Sequence, residues 1–208
     1  MSPRHQKEIR PRKQPRQERS RETVAVILEA AARVFAEHGY AAGTTNRISA
    51  VAGVSIGSLY EYFPNKDALL VALMEAHIAE GQAILAAAAS EVLVPGLPLR
   101  QVAERLVRAM IELHSRDRAL HRVLFEEAPL PPRVRRQLEA VEKQVATAMA
   151  AFLREHPEVR VSDPDLAAMV VVQAIEGLTH KLVVHGRPQE TEAYAREFVR
   201  LVTGYLAG

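Results

Sequence analysis

Apolar residues recur every three or four positions along most of the chain, and no stretch shows the strict alternation of a half-buried strand. Proline and glycine stand where turns between helices are expected. The pattern predicts an all-α fold of about nine helices. Their predicted bounds are Arg21–His38, Thr45–Ala52, Ser55–Tyr62, Asn65–Glu91, Leu99–Ser115, Arg118–Phe125, Pro131–His156, Pro164–His185 and Gln189–Leu206.

Two short helices stand between two longer ones near the N-terminus, separated only by Gly53 and Val54. Gly53 allows a positive φ at the turn, Ser55 can cap the second short helix, and Gly39 is a natural stop for the first long helix. Such a pair is typical of a helix-turn-helix. We expect six apolar positions to hold the pair against the first helix: Ile48, Val51, Ala52, Val54, Leu59 and Phe63.

The segment from Gly43 to Lys66 reads GTTNRISAVAGVSIGSLYEYFPNK. Its spaced residues, together with Leu69 and Leu70, resemble the DNA-binding signature of the TetR family of transcriptional regulators, and the resemblance covers about residues 21–73. It implies an N-terminal three-helix DNA-binding domain with a helix-turn-helix, followed by a C-terminal helical domain for ligand binding and dimerisation. The expected domains are therefore a disordered basic arm at 1–20, a DNA-binding domain at 21–66 and an effector-binding domain at 67–208.

The residue types in this segment suit contacts with DNA. Hydroxyls, amides and cations bind phosphates, and the first turn of a recognition helix reads base edges in the major groove. Ile56 could touch a thymine methyl, and Gly57 would let the backbone approach closely. The predicted DNA-binding residues are Thr44, Thr45, Asn46, Arg47, Ser55, Ile56, Gly57, Ser58, Tyr60, Tyr62 and Lys66.

Ordinary structural roles remain open for several of these residues. Tyr60 could be a half-buried core residue, Thr45 only a helix cap and Arg47 a solvated surface charge. Glu61 either accepts a hydrogen bond from cytosine or points away from DNA, since phosphates repel a carboxylate. The joint pattern, more than any single residue, predicts binding to double-stranded operator DNA.

Charge is concentrated at the N-terminus. The net charge is +2, but residues 1–23 carry eight Arg or Lys against three Glu, which leaves nineteen against twenty-two for the rest. This prefix has almost no apolar residues and is expected to be disordered. It is either a solvated tail or an arm that reaches DNA.

An effector site is expected among the long C-terminal helices, where polar residues interrupt apolar stripes. Gln173 and Glu176 interrupt the most apolar helix, and a buried carboxylate there would need a cationic partner. Aromatics are 5% of the chain, which favours aliphatic or modestly polar effectors over large planar ones. The candidates are His77, Met110, His114, Phe125, Met149, Phe152, Met169, Gln173, Glu176 and His180.

The last two helices, about residues 164–206, are expected to form a homodimer through their apolar faces, although a monomeric core would give the same pattern. A ligand that favours dimers with wrongly spaced recognition helices would release a near-palindromic operator, the usual behaviour of a repressor.

Other classes of protein find little support. The eight histidines form no HExxH pair, and neither a GxSxG elbow nor a glycine-rich phosphate loop occurs, so no catalytic residue, metal site or cofactor is predicted. Cysteine is absent, and no apolar run of about 18 residues is free of charge, so we expect a cytoplasmic protein without a membrane partner. The alternative to a regulator is a helical small-molecule sensor or adaptor that does not bind DNA.

Overall fold

The computed structural model describes residues 18–92 and 96–208, and these residues form nine α-helices and no strand. The helices are α1 Glu18–Ala42, α2 Thr45–Ala52, α3 Ile56–Tyr62, α4 Lys66–Val92, α5 Leu99–Ser115, α6 Arg118–Arg122, α7 Pro132–Glu155, α8 Pro164–Leu178 and α9 Thr191–Ala207. The all-α prediction is confirmed. Most of the predicted arm lies outside the described residues, and Glu18–Ser20 belong to α1.

The chain forms two compact units. The first contains the residues up to Ile78 and Ala119–Arg135, and the second contains Ala79–Arg118 and Arg136–Gly208. The sequence predicts instead that the DNA-binding domain ends at residue 66. The first unit extends further because Leu69, Leu70 and Met74 of α4 are fully buried, and Leu124 contributes another fully buried side chain from the later segment.

Helix α1 supplies much of the core of the first unit. Its buried residues Ile27, Ala31, Val34 and Phe35 follow the three- and four-residue spacing that marks one face of a helix. Gly39 has a φ of 72° and interrupts the helical geometry, so the regular helix ends at the residue predicted from the sequence.

The core of the second unit is formed by α5, α7, α8 and α9. It includes Ile111 of α5, Leu153 of α7, Val171 of α8 and Phe198 of α9, which are all nearly inaccessible to solvent. Helix α8 begins as predicted, because Asp163 Oδ1 accepts hydrogen bonds from the backbone of Asp165 and Leu166, at 3.1 and 3.0 Å.

Two helices continue as π-helical turns. Val123–Glu127 extends α6, and Thr179–Val184 extends α8. These turns account for the greater lengths that the sequence predicts for both helices. Within the second turn, the fully buried Thr179 side chain has a hydroxyl with no hydrogen-bonding partner among the described residues.

Two helical stretches among the described residues are long and apolar enough, by length and composition, to cross a membrane. They are Lys66–Val92 and Pro164–Val184, each with a mean hydropathy of 1.4 over its most apolar window. A helix that is buried on several sides of a soluble core has the same composition. The absence of a membrane partner therefore stays a prediction.

Replacing Thr179 with Val is expected to raise the free energy of unfolding by about 1 kcal/mol, because the isosteric methyl removes a buried hydroxyl that lacks a partner. Urea denaturation measures the change. Thr147→Val is the matched control, since that exposed hydroxyl donates to the Lys143 carbonyl at 2.8 Å and its loss should change stability little. A destabilised Thr179→Val protein would mean that the hydroxyl has a partner.

Candidate nucleic-acid interface

Helix α2 is capped at its N-terminus. Thr44 has an extended backbone, and its hydroxyl accepts a hydrogen bond from the backbone N–H of Arg47 at 3.3 Å. Thr45 has another role, since its hydroxyl lies 3.0 Å from that of Tyr60 on α3. The cap is thus Thr44, and the Thr45–Tyr60 contact joins the start of α2 to α3.

The turn between α2 and α3 is held by the backbone. Gly53 has a φ of 65°, and its N–H points at the carbonyls of Ala50 and Ser49, while the N–H of Val54 donates to Ser49 O at 3.1 Å. Ser55 then caps α3, because its hydroxyl accepts from the backbone N–H of Ser58 at 3.0 Å. The positive φ and the Ser55 cap are confirmed as predicted.

Helix α1 and the start of α2 approach each other too closely for a side chain at Gly43. A Cβ atom there would lie 2.4 Å from Cδ1 of the buried Phe35 ring. Gly43 therefore places the start of α2 directly against α1, and any larger residue would displace one of the two.

The predicted DNA-binding residues are mostly accessible. Thr44, Asn46 and Arg47 are exposed at the start of α2, and Ser55, Ile56 and Gly57 are exposed at the start of α3. Tyr60 is 40% exposed, so it is not a core residue. The Arg47 guanidinium donates to the Ala42 carbonyl at 3.4 Å and remains accessible. Thr45, Ser58 and Lys66 are partly exposed.

One expectation for this segment is wrong. Val51, expected in the core, is 43% exposed, whereas Ile48, Leu59 and Phe63 are buried as predicted. Tyr62 is only 7% exposed, so most of its ring belongs to the core, and the predicted contact of its hydroxyl with a phosphate stays a prediction. Burial depends on how each short helix is rotated in the packed unit, which the apolar pattern alone does not determine.

Lys66 ties the start of α4 to the end of α1. Its ammonium donates to the carbonyls of Tyr40 and Ala41 at 2.9 and 3.2 Å and lies 4.2 Å from the centre of the Tyr40 ring. The Tyr40 hydroxyl in turn donates to Asp67. Burial, followed by this hydrogen bond, raises the pKa of Tyr40 above its usual value, so the phenol stays protonated.

The predictions from sequence do not include the contacts of Tyr40 and Asp67 in this tie. Two local features of the sequence indicate these residues. Tyr40 follows the helix-breaking Gly39, and Asp67 lies in the first turn of α4, where the helix dipole favours an acidic side chain. Asn65 caps the same turn by accepting from the backbone N–H of Ala68 at 2.9 Å.

The predicted effector residues do not form one site. Met110, Met149 and Phe152 line an apolar cavity within the second unit. Met169 and Gln173 line a separate surface groove, where the Gln173 amide donates to Glu142 at 3.0 Å.

The remaining effector candidates make other contacts. In the second unit the rings of His114 and His180 meet edge to face, with centroids 5.3 Å apart. In the first unit His77 contacts Phe125. Glu176 is partly buried, and this burial, with the charge of Glu142, raises the pKa of its carboxyl.

Family models match both halves of the chain. Residues 27–73 match the model described as bacterial regulatory proteins of the tetR family, and residues 98–206 match the model of the tetracyclin repressor-like C-terminal domain. The second match alone spans more than half of the sequence. The chain belongs to the TetR family.

Individual relatives agree with the TetR-family assignment. The chain is 29% identical to the HTH-type transcriptional regulator TtgR of Pseudomonas putida over 173 residues, which cover 79% of this chain and 81% of TtgR. A TetR-family regulatory protein from Rhodococcus RHA1 shares the fold, with a TM-score of 0.71 and 24% identity over 89% of this chain and 97% of that one. AibR, solved with isovaleryl coenzyme A and operator DNA, shares it with a TM-score of 0.66 and 21% identity over 88% and 97%.

Replacing Lys66 with Met is expected to lower the free energy of unfolding by about 1 kcal/mol, because it removes the charged hydrogen bonds to Tyr40 and Ala41 and keeps the length of the side chain. Chemical denaturation measures the loss. Lys143→Met on the exposed face of α7 is the control and should be nearly neutral. Equal stability of the two variants would show that the tie contributes nothing.

Proposed function

We propose that this TetR-family protein is a transcriptional repressor that binds a near-palindromic operator as a homodimer and releases it when a small molecule binds its second unit. The observation that carries the proposal is the exposed first turn of α3, held in position by the backbone of the Gly53 turn and by the Ser55 cap. A helix of seven residues is too short to be stable alone. Its packing in the first unit therefore serves to hold the exposed residues of its first turn in place.

Helix α3 is the proposed recognition helix in the major groove. Ser55 and Ser58 carry hydroxyls that can donate to or accept from base edges, and Ile56 offers an apolar surface for a thymine methyl. Gly57 is open to solvent, and the nearest atom to a Cβ added there would be Ser55 Oγ at 3.7 Å. Nothing within the protein requires glycine at this position, which supports a close approach of DNA to the backbone.

Phosphate contacts are proposed for α2 and its neighbours. Thr44, Thr45 and Asn46 surround the N-terminus of α2, where free backbone N–H groups attract anions. Arg47 adds a charge, and the Tyr60 hydroxyl adds a donor. Lys66 already donates two hydrogen bonds to carbonyls, which leaves one N–H for a phosphate.

A homodimer through α8 and α9 is supported by an exposed apolar face. Five of the large hydrophobic residues that are exposed in the described chain lie on these two helices: Leu166, Met169, Val170, Leu201 and Tyr205. Gly177 of α8 and Gly204 of α9 have open space where a side chain would project. Exposed apolar residues on two neighbouring helices that also allow close approach suit a second copy of the same helices.

Release of DNA would follow from a difference in affinity. A small molecule that binds better to the dimer geometry that cannot span the operator lowers operator affinity by that difference. The structure of AibR with both isovaleryl coenzyme A and operator DNA is one instance in a relative that carries both kinds of ligand. We place the repressor in the cytoplasm, where its DNA would be.

Selection of fragmented genomic DNA by the purified protein, at about 0.15 M salt with excess competitor, is expected to enrich a near-palindromic site. Gly57→Leu should abolish this enrichment, because the new side chain would stand between α3 and the bases. Ala50→Leu, which adds the same side chain at an exposed position of α2, is the control and should retain it.

Thermal denaturation must show that both leucine variants are folded. Weak, salt-sensitive binding by the wild type without enrichment would instead favour a sensor that does not read DNA. Enrichment by the Gly57→Leu protein would contradict the proposal that α3 lies in the major groove.

The double variant Val170→Glu, Leu201→Glu is expected to be monomeric, since burying two carboxylates in an apolar interface without partners is costly. Sedimentation equilibrium measures its mass against that of the wild type. Val26→Glu introduces a charge at an equally exposed valine of α1 and should remain dimeric. A dimeric double variant would place the interface elsewhere.

A further inference from the structure

The second unit contains a small apolar cavity of about 80 Å³ between α4, α5, α7, α8 and α9. Every described residue that lines it is aliphatic, a methionine or a phenylalanine. The walls include Leu106 of α5, Met149 and Phe152 of α7, and Ile175 of α8. A cavity without polar groups does not hold water well and favours an apolar occupant.

A larger cavity of about 350 Å³ adjoins the first. It lies between α4, α5 and α7 and shares six lining residues with the small cavity: Leu85, Val102, Leu106, Val145, Met149 and Phe152. The same side chains therefore line both spaces. Met149 is unbranched and flexible, so its rotamer can adapt to an occupant that extends through both.

The polar side chains of the larger cavity are exposed to solvent. Among the described residues that line it, only Gln82 of α4 and Gln144 of α7 have polar side chains. Their amides can donate and accept hydrogen bonds but carry no charge. No described residue that lines either cavity is charged, so a charged end group would find no counter-ion among them.

From this lining we infer that the effector is an elongated aliphatic molecule with a neutral hydrogen-bonding end, such as an alcohol, amide or ester. The aliphatic chain lies along the two cavities, and the neutral end meets Gln82 and Gln144. Phe152 is the sole aromatic residue of the walls, so the site offers no aromatic cage for a planar or cationic ligand. This assignment rests on the proposed function, because it names the ligand of the same effector site.

A series of 1-alkanols from hexanol to decanol tests whether the ligand's aliphatic chain contributes to binding. Isothermal titration calorimetry of the full protein without DNA should show affinity rising about fourfold for each added methylene, as expected when apolar surface leaves water. Decanoate and decyltrimethylammonium, which have similar chains and charged ends, should bind at least tenfold more weakly than decanol. Affinity that is independent of chain length, or equal for the charged compounds, would overturn the inference.

The Ala103→Leu variant tests whether the ligand binds in these two cavities. Ala103 lines the small cavity and is almost fully buried, so a leucine there fills the space and should weaken decanol binding at least tenfold. Ala87→Leu makes the same change at an exposed position of α4 outside both cavities and should bind decanol normally.

Val102→Thr places a hydroxyl in the wall shared by the two cavities without adding volume, which covers the case in which the larger leucine prevents folding. It should also weaken decanol binding. Normal decanol binding by a folded Ala103→Leu or Val102→Thr protein would show that the ligand does not bind in these cavities.

Operator binding separates this inference from the proposed function. Decanol is expected to lower operator affinity of the wild type and to leave that of the Ala103→Leu protein unchanged. A protein that selects its operator but binds no alkanol overturns the ligand class alone. One that binds decanol but selects no operator overturns the repressor function alone.

Discussion

The tie between the end of α1 and the start of α4 holds together the two ends of the helix-turn-helix segment. Lys66 donates to the Tyr40 and Ala41 carbonyls, and Tyr40 donates to Asp67, so the residues before and after the helix-turn-helix are held together. Helices α2 and α3 lie between these two points in the chain and are too short to be stable alone. Fixing both ends of the segment reduces the entropy lost when the two helices pack.

Within that frame, backbone geometry positions the side chains that face solvent. Gly43 brings α2 against Phe35, and Gly53 turns the chain between α2 and α3. The resulting surface is rich in hydroxyls and carries few charges. Its exposed cation on α2 is Arg47, and Glu61 is exposed on α3. For the proposed contacts with DNA, this surface offers many hydrogen-bonding groups and little general charge attraction.

The helices of the second unit have inner and outer faces that differ in burial. The inner faces of α5, α7, α8 and α9 form the core and contribute to a cavity whose described lining is apolar. The outer faces of α8 and α9 expose Val170 and Leu201, which are 43% and 50% exposed. The apolar residues of α8 therefore include residues buried in the core and residues exposed on its outer face. This is why the sequence of α8 is apolar nearly all round, although only one of its faces is buried.

The sequence by itself determined the features that depend on neighbouring residues. Helix bounds, the Ser55 and Asp163 caps and the positive φ values of Gly39 and Gly53 all arise within about four positions of the chain. Tertiary structure decided which faces are buried. Tyr60 is exposed and Tyr62 is buried, two positions apart on one helix, because α3 packs in one rotation, with Leu59 and Tyr62 facing the core. The Lys66 tie spans 26 residues, and the cavity joins five helices, so neither can be read from local pattern.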